Sequence, residues 1–213
     1  PAVIMNSSLW GQVDSNHTLG IIIVFLLLCD KKLIQSFFVF AVCIFIKPQS
    51  LIFTPLLLFS AAEYVFLPKF DKNRLIKVIL GGFGALAVMV IMALPFGILS
   101  VIKQYISTIE SYPYLTINAF NLWGALGQNW TELTPYFSYL GNGFIIIITL
   151  ISAFIFFRNK GNKRYFLTGA FLMFATFMLS VKMHDRYAYP VIAMLLFAYI
   201  MSEEKIHFGM FSV

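Results

Sequence analysis

The densest run of ionisable and aromatic groups in the chain is Lys182-Met183-His184-Asp185-Arg186-Tyr187-Ala188-Tyr189-Pro190, set between two apolar stretches at residues 165–181 and 191–201. Charge beside hydrocarbon is costly unless a wet cleft, a headgroup or a ligand receives it, so these residues are functional candidates. The Arg186 guanidinium offers rigid donors that match phosphate oxygens, and it keeps its charge there. The competing role is to reach lipid headgroups or to pair with Asp185. His184 suits donation to a phosphate oxygen or proton transfer near neutral pH, unless it only bonds a loop carbonyl. Asp185 would orient either neighbour, and Tyr187 adds a further donor to the same turn.

Three other stretches carry comparable chemistry. Lys47 follows a long apolar run, and Pro48 after it suits the first turn of a helix, whose free amides would receive an anion together with the ammonium. Gln49 would then bond a phosphate or a hydroxyl. Near the front, Trp10 offers a stacking face, and Gln12 and Asp14 offer partners for hydroxyls. Alternatively Asp14 or Ser15 caps a helix beginning near Thr18, and Trp10 anchors at an interface. In the middle, residues 118–127 place the amides of Asn118 and Asn121 beside Trp123, an aromatic shelf. The His and carboxylate spacings do not suggest a metal site, and no glycine-rich phosphate loop, serine elbow or redox thiol pair is visible.

The elements that must position these groups are hydrophobic helices. Apolar residues make up 60% of the chain, Phe alone supplies 24 of 213, and charged residues only 11%. A soluble core of that size needs a charged surface around it, so the composition indicates an all-α integral membrane protein. The net charge of +6 is spread over short breaks rather than along a basic stripe, which argues against nucleic-acid binding. Cys29 and Cys43 lie in or beside apolar segments and read as small core residues.

Seven hydrophobic segments can be marked, at 18–29, 33–46, 50–68, 76–96, 141–157, 165–181 and 189–202. About 20 helical residues cross a bilayer core, so the first two predict a hairpin around Asp30-Lys31-Lys32 or helices of partial depth. Gly81, Gly82 and Gly84 predict close helix contact, and Pro95 a kink or exit. The region 97–140 is expected to be an extracytoplasmic loop with an interfacial helix near 102–109, anchored by Tyr105 and Tyr112.

If the Asp30–Lys32 turn is cytoplasmic, only Lys47, Lys103, Lys182 and Arg186 among the lysines and arginines fall on the other side. That is a positive-inside pattern, with Pro1 extracytoplasmic and Val213 cytoplasmic. Four cations placed against the rule on one face point to an anionic partner.

In order and spacing, four motifs resemble one family. They are Asn6-Ser-Ser-Leu-Trp10-Gly-Gln12-Val-Asp14-Ser15, Ile46-Lys47-Pro48-Gln49, Asn118-Ala-Phe-Asn121-Leu-Trp123-Gly124 and Met183-His184-Asp185-Arg186-Tyr187-Ala-Tyr189-Pro190. The chain resembles the polytopic bacterial mannosyltransferases related to the eukaryotic GPI second mannosyltransferase, within the GT-C superfamily of membrane glycosyltransferases. The resemblance implies a GT-C-like bundle in the bacterial plasma membrane that transfers a hexose, mannose in that family, from a polyprenyl-phosphate donor to a glycan or lipid acceptor. No nucleotide sugar or metal cofactor is implied, and the anomeric centre is inverted. Taken together with the residue readings above, it leads to donor phosphate at Arg186, Lys47, Gln49 and Tyr187, catalysis at Asp14 and His184, sugar and acceptor contacts at Trp10, Gln12, Asn121 and Trp123, and a supporting role for Asp185. The family commonly has Glu where this chain has Asp185, which shortens the reach of that carboxylate. It also places its principal acidic residue in an earlier extracytoplasmic loop, so this chain is expected to be part of a longer protein.

A transporter or flippase of lipid-linked sugar, a lipid-linked polysaccharide polymerase and a non-catalytic membrane subunit are the competing functions. Transport would place polar groups at mid-membrane in repeated, broken helices, and Glu63 within a helix is the one feature of that kind. The one-face topology has a direct check. With Cys29 and Cys43 replaced, Lys47→Cys and Arg186→Cys are both expected to react with an impermeant thiol reagent from the same, extracytoplasmic side, and labelling from opposite sides would overturn it.

Overall fold

The computed structural model describes residues 13–202 apart from Tyr112, with backbone alone at 109 and 110. Each of the seven hydrophobic segments is helical, but only three helical stretches, Pro48–Phe66, Lys72–Phe96 and Pro135–Arg158, are long and apolar enough to cross a membrane. The chain forms two compact units, Pro1–Tyr105 and Ile106–Val213.

In the first unit α1 (Asp14–Cys29) and α2 (Leu33–Ile46) form the expected hairpin about Asp30 and Lys31. The buried residues of α1, among them Asp14, His17, Thr18, Ile21, Phe25 and Leu28, recur at intervals of three and four, which defines one helical face. Phe25 meets the fully buried Phe53 edge to face at 5.7 Å, an arrangement that the ring quadrupoles favour. After Lys47 the chain continues as a 3₁₀ helix (Pro48–Phe53), so Pro48 opens a tighter turn than the α-helix expected. That turn feeds α3 (Thr54–Phe66).

Asp71 caps α4 (Lys72–Ala93) by accepting from the amides of Asn73 and Arg74. Arg74 reaches back to the carbonyls of Tyr64 and Leu67 at the end of α3, which closes the basic α3–α4 turn. Pro95 lies in a closing 3₁₀ turn (Leu94–Phe96), and Gly97 at φ +77° lets the chain leave it. The amphipathic α5 (Ile98–Glu110) follows, at the place expected for an interfacial helix. Tyr105 on α5 donates its hydroxyl to the Phe45 carbonyl at the end of α2, which makes it a helix-end tie rather than a headgroup anchor.

The second unit contains β1 (Thr116–Ile117), a short α6 (Leu122–Ala125), α7 (Pro135–Arg158), α8 (Lys163–Leu179), β2 (Met183–His184), a 3₁₀ turn (Asp185–Ala188) and α9 (Tyr189–Ile200). The connection expected to reach residue 140 therefore ends at 134, because Pro135 starts α7 one turn and a half earlier. The central helix is α8, with ten buried residues facing α7 and α9. β2 follows α8 and pairs in parallel with β1, which precedes α7. The end of α8 and the approach to α7 thus lie at the same end of the unit, although α8 is only 17 residues, roughly 26 Å at the α-helical rise.

The outer faces of α4 and α7 explain why such a chain needs a bilayer. Leu80, Phe83, Leu86 and Ile91 on α4 and Ile146, Leu150 and Phe154 on α7 are all exposed. Water does not tolerate apolar faces of this extent. On α7 the hydroxyls of Thr149 and Ser152 return to the carbonyls of Ile145 and Ile148 one turn earlier, as Ser60 on α3 does to Leu56, which satisfies these donors without water.

The α2–α4 seam is where small residues matter. A Cβ on Gly81 would lie 2.7 Å from the Ile34 side chain and one on Gly84 2.7 Å from the Phe38 ring, whereas one on Gly82 would meet nothing within 4 Å. Gly84→Val is expected to cost on the order of 1–3 kcal/mol by forcing the helices apart. Gly82→Ala should be neutral or slightly stabilising. Thermal unfolding in detergent checks this, and equal effects at the two positions would contradict the seam.

Candidate functional site

Two polar clusters stand out, one in each unit. In the first, the Lys47 ammonium is bonded to Asp14 Oδ1, joining two sequence candidates that are 33 positions apart. Asp14 opens α1 and Lys47 closes α2, so the hairpin itself brings the charges to one end. Their side chains are only 3% and 16% exposed, so this is a buried pair. The Asp14 side chain does not cap α1. Val13 holds the cap position, and the Asp14 carbonyl accepts from the Thr18 hydroxyl.

His17 lies one turn along α1 from Asp14 and is 1% exposed. Among the described residues neither of its ring nitrogens has a hydrogen-bond partner, and both Lys47 and Asp14 are close enough to act on it electrostatically. A buried imidazole in that state carries a desolvation cost that packing does not return. The sequence signal for it was the i, i+3 spacing from Asp14 along a buried stripe. Gln49 is half-buried in the first turn of the 3₁₀ helix, while Trp10 and Gln12 lie outside the described residues.

The second cluster is built on backbone pairing. Thr116 and Ile117 pair with Met183 and His184, and the Lys182 amide donates to Leu115. On its other edge the same segment meets residues 129–133, with Tyr114 opposite Glu132 and Thr116 opposite Asn129. The residues just before the Asn118 motif are thereby held beside the start of the Met183 motif, 67 positions away. Beneath them Ala119, Phe177 and Met183 form a small apolar core, against which Tyr187 and Ala188 pack.

Asn121 and Trp123 are fixed inward. Asn121 accepts from Thr116 Oγ1 and the Gly124 amide and donates to the Phe177 carbonyl, and Trp123 Nε1 donates to the carbonyls of Leu179 and Ser180. Both are under 5% exposed, so they tie α6 to the end of α8 rather than offer themselves to a sugar. Gly124 is part of the same tie, since a Cβ there would lie 2.5 Å from the Ala119 carbonyl oxygen.

His184 sits on β2 with its ring 5.1 Å from that of Tyr187. Asp185 is exposed, and its Oδ1 accepts from the Arg186 amide at 2.9 Å, which starts the 3₁₀ turn that carries Arg186 and Tyr187. Asp185 therefore orients Arg186 through the backbone. Arg186 and Tyr187 are half-buried.

Beside these residues an open groove of about 940 Å³ runs over Asn118, Phe120, Asn129, Met178 and Asp185. Asn118, Trp130 and Lys182 all adopt positive φ, at 51°, 60° and 59°. Left-handed backbone at non-glycine residues costs on the order of 1–3 kcal/mol each and gathers at sites that need it. Asn118 and Asn129 face each other through side-chain and backbone bonds, and Trp130 Nε1 also donates to Asn118 Oδ1. Phe120 and Asn129 were not among the sequence candidates. Their common signal was the polar and glycine-rich character of 118–131, which reads equally as a turn.

Among the described residues no group of three or more His, Cys, Asp and Glu gathers as metal ligands would. The molecule is thus an all-α, membrane-associated protein with a buried ion pair in one unit and a strained, amide-lined groove in the other. Comparisons with protein-family models, with curated proteins and with solved structures found no match.

The ion pair generates a stability prediction. Lys47→Ala would leave the Asp14 carboxylate buried without its counter-charge and is expected to cost about 3–5 kcal/mol. The double replacement Asp14→Leu with Lys47→Met should recover most of that loss. Unfolding of the single and double variants in detergent checks the cycle, and a harmless Lys47→Ala would mean that the pair is not buried.

Proposed function

We propose that the protein is a GT-C-like glycosyltransferase of the bacterial plasma membrane, moving a hexose, mannose by resemblance, from a polyprenyl-phosphate donor to an acceptor hydroxyl at the extracytoplasmic face. The observation that supports it most is the pairing of motifs. Asp14 meets Lys47 in one unit, and in the other Thr116 and Ile117, just ahead of the Asn118 motif, pair with Met183 and His184.

In this reading Arg186 receives the donor phosphate, with His184 and Tyr187 from the same turn as additional donors. The bond from the anomeric carbon to the phosphate oxygen breaks, its electron pair leaves with the phosphate, and the acceptor oxygen bonds to the opposite face of that carbon. Fixed donors at the departing phosphate stabilise the charge that develops there, most strongly where water is sparse. The acceptor proton passes to a carboxylate. The resemblance, with the residue readings, leads to catalysis at Asp14, and within its own unit Asp14 would first have to exchange its Lys47 partner before taking a proton. Lys47 accordingly becomes a neutraliser of Asp14 before it is a phosphate ligand.

A second reading has its own observation. The buried Asp14, His17 and Lys47 cluster is also what a proton-coupled carrier of lipid-linked sugar would require. Purified protein in liposomes with a polyprenyl-phosphate hexose and a glycolipid acceptor separates the two, because only a transferase yields a new glycosidic bond. Arg186→Ala is expected to lower transfer about 100-fold or more without shifting the unfolding temperature. Transfer at the normal rate in that variant would remove Arg186 from the site, and sugar movement without bond formation would favour the carrier.

A further inference from the structure

The groove over Asn118, Phe120, Asn129 and Asp185 has a chemistry different from that of the Arg186 turn. Asp185 is the one charged residue in its described lining, so a phosphate there would meet a like charge and no cation. Its amides are already organised. Asn118 Oδ1 accepts from Asn129 Nδ2 and Trp130 Nε1, and Asn129 Oδ1 accepts from the Asn118 amide. Asn118 Oδ1 is thereby filled, Asn129 Oδ1 keeps one acceptor site, and both side-chain amides retain N–H to donate. Asp185 uses Oδ1 on the Arg186 amide and keeps Oδ2 as an acceptor.

Donors and an acceptor therefore stand along one groove, and Phe120, 91% exposed, presents an aromatic face at its lip. A neutral ligand rich in hydroxyls, with one apolar ring face, satisfies all three features at once. A hydrocarbon chain would waste the amides, and an anion would meet Asp185.

We propose that this groove is a saccharide subsite that binds a hexopyranosyl ring through the amides of Asn118 and Asn129, the Asp185 carboxylate and the face of Phe120. The assignment deepens the transferase reading, on which it rests for treating the saccharide as a substrate. The floor is made rigid by Asn121 and Trp123, bonded to the end of α8, and the left-handed Asn118 and Trp130 hold the amides in register. The ring could belong to the lipid-linked donor or to an acceptor glycan, and these share the chemistry described.

The test is binding rather than turnover. Protein in nanodiscs, free of glycoside detergent, is titrated with a soluble mannotriose and the tryptophan fluorescence is followed. Saturable binding is expected, weakened about tenfold by Phe120→Ala through loss of ring contact. Asn129→Ala should weaken it similarly, and Asn118→Gly, which removes the amide while suiting the left-handed backbone, guards against a folding artefact. Added inorganic phosphate should leave binding unchanged. If mannotriose competes with a polyprenyl-phosphate hexose the donor ring is the occupant, and if both bind together it is the acceptor. Absence of saturable binding, or binding unaltered by both Phe120→Ala and Asn129→Ala, overturns the subsite. Specific binding without any transfer activity would overturn the transferase reading and leave the subsite standing.

Discussion

Hydrocarbon cannot hydrogen-bond, and that property of the surroundings sorts every polar group in this chain. Several serine and threonine hydroxyls on the helices are folded back onto carbonyls one turn earlier, as at Ser60 and Ser152. Cations gather in the turns, where Arg74 closes the end of α3 by bonding two carbonyls. Where charge enters an apolar unit, as at Asp14 and Lys47, it does so as a neutral pair. The chemically capable residues consequently accumulate at helix ends, and short segments such as β1 and β2 hold them in place.

This sorting made much of the fold legible in the sequence. Long apolar runs have one soluble alternative at most, so all seven became helices, and the small residues of α4 packed as their spacing implied at Gly81 and Gly84. Helix length was less legible. Sequence hydropathy does not tell a helix sheltered by neighbours from one facing lipid, and α8, the most buried of the second unit, is less apolar than the exposed α7. The pairing of β1 with β2 was beyond reach, since two residues of strand have no periodicity and their partners are 67 positions away.

The site was legible in residue type and not in direction. Asn121 and Trp123 looked like sugar contacts because amides and indoles serve that purpose, yet the same groups are good at binding carbonyls at a helix end, and here they do. Asn129, by contrast, carried no signal in the sequence that set it apart, and became half of an amide pair with Asn118. Sequence identity states which bonds a side chain is able to make. Only the backbone on which it sits, such as the left-handed turn at Asn118, decides which of them are made.

Charge balance then separates the roles of the two clusters. A neutral pair exerts a weak field beyond its own length, so Asp14 and Lys47 cannot draw a phosphate towards them as an isolated lysine would. Breaking the pair for an incoming anion leaves a buried carboxylate that must find either a proton or a new cation. In a transferase that proton comes from the acceptor hydroxyl and ends in the product mixture. In a carrier it would pass on through the neighbouring His17, whose ring nitrogens are bonded to no described residue. The two readings thus differ in where one proton goes after it reaches Asp14, and the imidazole one turn away is the group whose removal only the carrier would feel strongly.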